Sequence, residues 1–122
     1  MFDDEEIKKM QLINKLMKRN NNNGYITIYN QFKYEYFYDE NNFFRLYIIE
    51  MEQATETLLK EYETLKDGQI QLQTLFHIFN DLTHCLMILH RNKICHFDIK
   101  LANIFYMKLN QCYFLCDFGG SQ

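Results

Sequence analysis

Five residues near the C-terminal end of the chain have types and spacings that could do chemistry together. Asp98, Lys100 and Asn103 fall within His96-Phe97-Asp98-Ile99-Lys100-Leu101-Ala102-Asn103, and Asp117-Phe118-Gly119 follows. One short loop therefore offers a carboxylate, an ammonium and a carboxamide, and a second carboxylate arrives at the mouth of a glycine turn. Phosphoryl transfer from ATP needs that set: a base for an attacking hydroxyl, a cation for the phosphate, and two oxygen ligands for magnesium. Lys100 sits two residues from Asp98 and can reach a phosphate as a point charge. Asn103 offers a neutral oxygen and Asp117 a charged one, and magnesium prefers such hard ligands. Gly119 permits the backbone turn that aims Asp117.

The elements that must position these groups are legible from periodicity. Asp4 to Met17 reads as a helix, with Ile7, Met10, Ile13 and Leu16 or Met17 on one face and Lys15, Lys18 and Arg19 toward its end. Asn20 to Asn23 with Gly24 reads as a low-complexity loop insertion. Tyr25 to Tyr38 is dense in β-branched and aromatic residues and reads as a strand, bent near Asn30-Gln31. Asp39 to Asn42 turns it into a second strand, Phe43 to Met51. Thr57 to Lys66 reads as a short helix closed by Asp67-Gly68. Ile70 to Arg91 is the clearest helix, with Leu72, Leu75, Phe76, Phe79, Leu82, Leu86 and Leu89 at helical spacing. Ile104-Phe105-Tyr106 and Tyr113-Phe114-Leu115-Cys116 read as two short strands joined near Asn110.

Both chemical motifs, in this order after an amphipathic helix and with a strand between them, resemble the protein kinase family, and Lys100 two residues after Asp98 resembles its serine/threonine type. The resemblance implies an α+β fold: a partial kinase domain with the C-helix, strands 4 and 5, the hinge, helices D and E, the catalytic loop, and strands 7 and 8. It omits the first three strands and the late C-lobe helices. It divides residues 1–122 into an N-lobe remnant (1–51), a hinge (52–56) and the start of the C-lobe (57–122). Asp98 then accepts the proton of the substrate hydroxyl, or orients it. Lys100 meets the γ-phosphate, and Asn103 and Asp117 hold magnesium. Ile48-Ile49-Glu50-Met51-Glu52-Gln53-Ala54 resembles strand 5 and the hinge. Met51 becomes the gatekeeper, the Glu52 carbonyl and both backbone groups of Ala54 face the adenine edge, and Phe105 forms the apolar floor beneath it; core packing is the competing reading for Phe105. ATP and Mg2+ are the implied cofactors, and a protein serine or threonine hydroxyl the implied substrate.

The chain departs from the family pattern at several points. Its four glycines, Gly24, Gly68, Gly119 and Gly120, form no glycine-rich phosphate loop, and no strand-3 lysine can be named. Glu5 and Glu6 both remain candidates for the C-helix glutamate. Phe97 stands where the family usually has the arginine that pairs with a phosphorylated activation loop; the death-associated kinases, which share His-Phe-Asp, are active. Leu101 replaces the usual proline. These gaps imply a fragment weak or inactive alone, with a sticky face left on the long helix. They also leave a second reading open: a catalytically dead kinase-like module that binds or regulates an intact kinase or another partner.

Composition bounds the remaining alternatives. A formal charge of −3 gives no long-range attraction to nucleic acid or anionic membrane. The most apolar stretch, Leu72 to Leu89, is broken by His77, Asn80, Asp81, Thr83 and His84. The four cysteines, Cys85, Cys95, Cys112 and Cys116, read as free thiols, and cytoplasm is the default location. Cys112 and Cys116 on one strand would lie roughly 13 Å apart, too far to share zinc. His96 reads as a packed brace for the loop rather than a base, and Cys116 as a small buried apolar residue.

Overall fold

Helix α1 (Asp4–Arg19) buries Ile7, Ile13, Leu16 and Met17 along the expected stripe and runs two residues beyond the expected Met17, so that Lys18 and Arg19 complete its last turn against the helix dipole. The computed structural model describes residues 4–65 and 68–116. Asp117, Phe118 and Gly119 therefore lie outside the described residues, as does Lys66 at the expected end of the second helix.

Strands β1 (Ile28–Phe37) and β2 (Phe43–Met51) form an antiparallel hairpin, with Phe32 opposite Ile48, Tyr34 opposite Leu46 and Tyr36 opposite Phe44. The register slips between Ile28 and Asn30, close to the expected bend. The first strand is shorter than expected because Tyr25 and Ile26 use their backbone elsewhere. The Ile26 carbonyl accepts from Asn14 Nδ2 of α1 at 2.7 Å, and the Tyr25 N–H donates to the Asn23 carbonyl at 3.0 Å. At the hairpin tip, Asp39 accepts from Asn42 and from the backbone of Asn41 and Asn42, which holds its carboxyl below the usual range.

A short strand absent from the sequence reading, β3 (Glu56–Thr57), takes the start of the expected helix. Helix α2 (Leu58–Glu63) begins only after Thr57, whose side chain caps it by accepting from Lys60 N at 3.2 Å. Strand β3 pairs antiparallel with β4 (Ile104–Met107), which pairs antiparallel with β5 (Cys112–Leu115). Helix α3 (Leu72–Arg91) lies against β5 and α1. The core joins these pieces: Ile13, Leu16 and Met17 from α1, Ile78, Cys85, Ile88 and Leu89 from α3, and Leu115 from β5.

Helix α3 corrects the expected stripe. Its buried line is Ile78, Cys85, Ile88 and Leu89, with Leu82 and Leu86 partly covered, while Leu72, Phe76 and Phe79 are more than 60% exposed. The helix is thus apolar on two faces; one meets α1 and β5 and the other faces solvent, the sticky face expected above.

The asparagine run is a loop, but one of its members is a structural anchor rather than inert filler. Asn22 is buried; its Oδ1 accepts from Gly24 N at 2.6 Å, its Nδ2 donates to His84 Nδ1 on α3 at 3.0 Å, and its N–H donates to the Met17 carbonyl at 2.8 Å. The end of α1 is thereby tied to α3. Gly24 is required by close approach: a Cβ there would lie 2.7 Å from Asn22 Oδ1 and 2.9 Å from Phe114 Cβ.

Candidate functional site

The loop between α3 and β4 is built around His96, which is 2% exposed. Its Nδ1 accepts the Asp98 N–H at 3.1 Å, and its Nε2 donates to the Cys116 carbonyl at 2.6 Å. These partners select the tautomer with the proton on Nε2. The histidine therefore braces the loop, as its sequence context implies, and ties it to the residue immediately before Asp117. A second tie runs from Cys116 N to the Asn103 carbonyl at 2.9 Å. Between the two ties the backbone passes through Phe97 at φ 70°, a conformation that bulky residues rarely adopt and that is held only by well-determined surroundings. That turn aims the Asp98 N–H back at His96.

The side chains the sequence singled out converge. Asp98 Oδ2 lies 3.5 Å from Lys100 Nζ, with both side chains half exposed. Asn103, at the end of a single 3-10 turn (Leu101–Asn103), donates through Nδ2 to the Asp98 carbonyl at 2.9 Å and to Asp98 Oδ2 at 3.1 Å. The carboxamide nitrogen is thereby committed, and its direction fixes the carboxamide oxygen. That oxygen takes no hydrogen bond among the described residues, although Asn103 is only 6% exposed. A buried oxygen without a donor is costly in a neutral site and suits a hard cation. The Asn103 oxygen therefore has the chemistry that a magnesium ion takes; the other residue expected to face such an ion, Asp117, lies outside the described residues.

Met51 ends β2, and Phe105 lies on β4 opposite Phe114. Together with Cys116 they line an apolar cavity of about 250 Å³ beside Met10, Ile13 and Tyr25. Phe105 also meets Phe114 with ring centroids 6.2 Å apart, so a place on the cavity wall and packing on the small sheet coexist. Downstream of Met51, the Glu52 N–H donates to the Thr27 carbonyl at 2.8 Å and the Thr55 N–H to the Tyr106 carbonyl at 2.9 Å. Between those two anchors, the Glu52 carbonyl and both backbone groups of Ala54 make no backbone hydrogen bond among the described residues. Glu56, at the end of the expected hinge, is already paired with Tyr106 in β3. Of the two glutamates near the start of α1, Glu6 is half-buried and Glu5 exposed.

The supports behind the site carry the strongest perturbations. Burial pushes the Cys85 thiol up to about 11, and burial with Asp81 and Cys85 nearby pushes Cys112 to about 11. Tyr113 donates to both Glu61 carboxylate oxygens at 3.0 and 3.1 Å, and burial, followed by that bond, drives its phenol well above the ordinary range. The Tyr113 N–H donates to Asp81 Oδ2 at 3.0 Å, and Asp81 Oδ2 lies 2.9 Å from His77 Nε2. This network ties α2, α3 and β5 beneath the loop. Cys116 is half-buried at the cavity wall, and Cys95 is exposed. No group of three or more potential metal ligands from His, Cys, Asp and Glu occurs among the described residues, and none of their helices is long and apolar enough to cross a membrane.

The sequence profile of the protein kinase domain matches residues 3–122. The chain is 31% identical over 96 residues to "Dual specificity protein kinase zakA" of Dictyostelium discoideum, covering 79% of this chain and 12% of that protein. It is 34% identical over 68 residues to "Probable serine/threonine-protein kinase cdc7" of the same organism, covering 51% and 6%. It is 36% identical over 61 residues to "Serine/threonine-protein kinase 1" of Heliothis zea nuclear polyhedrosis virus, covering 50% and 21%. Among solved structures, the Cydia pomonella granulovirus kinase PK-1 superposes with a TM-score of 0.62 at 24% identity, over 94% of this chain and 38% of that one. The chain thus spans about a fifth or less of each of these curated relatives.

Proposed function

Because this chain belongs to the protein kinase family, we propose that it carries the lower half of the ATP site of a serine/threonine protein kinase, weak or inactive as this chain alone. The observation that carries the reading is the Asn103 carboxamide. Its nitrogen is spent on Asp98, and its buried oxygen is left for a cation. When bound, Mg2+·ATP would supply the electrophilic phosphorus and the neutralising charge. Asn103 and Asp117 would hold the metal. Met51, the Glu52 carbonyl, Ala54 and Phe105 would receive the adenine. Asp98, half exposed and held by the turn at Phe97, would accept or orient the proton of a protein hydroxyl. Lys100, 3.5 Å from that carboxylate, would hold negative charge beside it.

Two measurements test this. Mn2+ titrated into the chain with ATP should broaden the side-chain amide resonances of Asn103 before those of the other asparagines, because a paramagnetic ion relaxes the nuclei nearest it. Broadening centred on another asparagine would remove Asn103 from the metal site. Phosphoamino-acid analysis of any label transferred from ATP in the presence of Mg2+ should give phosphoserine and phosphothreonine, lost in Asp98→Ala. Phosphotyrosine in comparable amount would refute the serine/threonine assignment, a live alternative given the dual-specificity name of one relative. Transfer that survives Asp98→Ala would refute the role of Asp98.

A further inference from the structure

The hairpin has two unlike faces. On one, Phe32, Tyr34, Tyr36, Phe44, Leu46 and Ile48 stand in three cross-strand pairs, with no charge among them, and every one is between 41 and 59% exposed. Glu50 stands at the end of the same face, opposite Asn30, whose Nδ2 donates to it at 3.0 Å, and the remaining charges of the two strands lie on the other face. Lys33 lies over the Tyr47 ring, Arg45 Nε reaches Glu35 at 3.1 Å, and Arg45 also covers Phe43. Charged side chains that lay their stems on aromatic rings suit a face kept in water. The block of six apolar residues has no such cover. Neither β1 nor β2 packs substantially on any other element among the described residues, and a strand added to an edge would extend the ribbon without covering a face.

We propose that this face is an interface with a second copy of the chain, packed face to face as a two-layer, four-stranded sandwich. The area is adequate. Six large side chains about half exposed offer on the order of 600 Å² per copy, about 1,200 Å² for the pair, from aromatic areas of 150–250 Å² each. That reaches the lower bound of specific interfaces. The chemistry favours a like partner. The chain carries a net charge of −3, so most surfaces of two copies repel, whereas this one holds no charge between the Phe32–Ile48 and Tyr36–Phe44 pairs. Under a two-fold axis each copy offers the same patch to the other, and Glu50 stands at the edge of that patch, outside the six apolar residues. The association also answers a physical need, because a two-stranded ribbon is marginal alone and is stabilised by a second layer.

Sedimentation of the whole chain across about 1 to 100 µM, the usual range for modest interfaces, tests this. The expected result is a monomer–dimer equilibrium. Leu46→Glu, at the centre of the apolar block, should weaken it by about tenfold or more, the effect of burying an unpaired charge. Phe37→Glu, the same kind of change on the opposite face, should alter it by less than about threefold. Tyr34→Thr keeps a strand-forming residue while removing a ring, so weakened association in that variant cannot be laid to loss of the hairpin. A monomer throughout the range would overturn the proposal. So would equal effects of Leu46→Glu and Phe37→Glu, unchanged association in Tyr34→Thr, or open-ended assembly that Leu46→Glu leaves intact.

Discussion

Replacing Asn22 by alanine removes the link between the end of α1 and α3 and exposes an asymmetry that the structure makes measurable. The Asn22 side chain has one partner inside and one near water. On the inside, its Oδ1 is the acceptor for the buried Gly24 N–H at 2.6 Å. Truncation leaves that donor unpaired, at a cost of about 1–3 kcal/mol. On the outside, its Nδ2 donates to His84, which is exposed, so water replaces the lost bond and the cost at that end is about 0–1 kcal/mol. Asn22→Ala should therefore destabilise the fold by roughly 1–4 kcal/mol, His84→Ala by less than about 1 kcal/mol, and Asn23→Ala, at an exposed neighbour, by within about 0.5 kcal/mol. Urea unfolding of the three variants at one protein concentration, followed by far-UV circular dichroism, provides the comparison. If Asn22→Ala matched Asn23→Ala, the run would be the inert insertion its composition suggests, and the anchoring argument would fail.

Two further predictions use the same packing. Gly24→Ala places a Cβ 2.7 Å from Asn22 Oδ1 and 2.9 Å from the Cβ of the fully buried Phe114, so it should cost about 1–3 kcal/mol in the same unfolding assay; a neutral result would mean the loop moves freely. Alkylation at pH 8, read by mass spectrometry, should label exposed Cys95 first and Cys85 last, because burial holds the Cys85 thiol near 11 and only thiolate reacts. The linked effect on stability follows from the sign of that shift. The folded value lies above the ordinary 9.0, so the unfolded chain loses its proton first, and the contribution of Cys85 is present below about pH 9 and lost as the pH rises toward 11. A urea midpoint that rises between pH 9 and 10.5 would contradict it.

Elements announced by a single dominant pattern were readable from sequence. The stripe of α1 and the limits of β2 coincide with the residues that carry the pattern. Where two signals competed, the reading slipped. Thr57 has the residue type of both a strand and a helix cap, and it serves as both, closing β3 and capping α2. Tyr25 and Ile26 have strand composition, but their backbone is claimed by Asn23 and Asn14, a preference set by a helix that is distant in sequence. On α3, residues apolar at helical spacing lie on more than one side. Periodicity can identify such a helix, but which side is buried is settled by α1 and β5.

The site divides along a similar line. Asp98, Lys100 and Asn103 were legible because the information lies in their side-chain types and spacing, and the structure brings the three together. What holds them is mostly backbone: the Cys116 carbonyl on His96, the Asn103 carbonyl on Cys116 N, and the Asp98 N–H on His96 Nδ1. Every residue has a carbonyl, so composition cannot say which one is used. His96 is the one side chain in that set, and it joins two backbone segments. The loop bearing Asp98 is joined to the end of β5 by two hydrogen bonds, both at Cys116, one from its start at His96 and one from its end at Asn103.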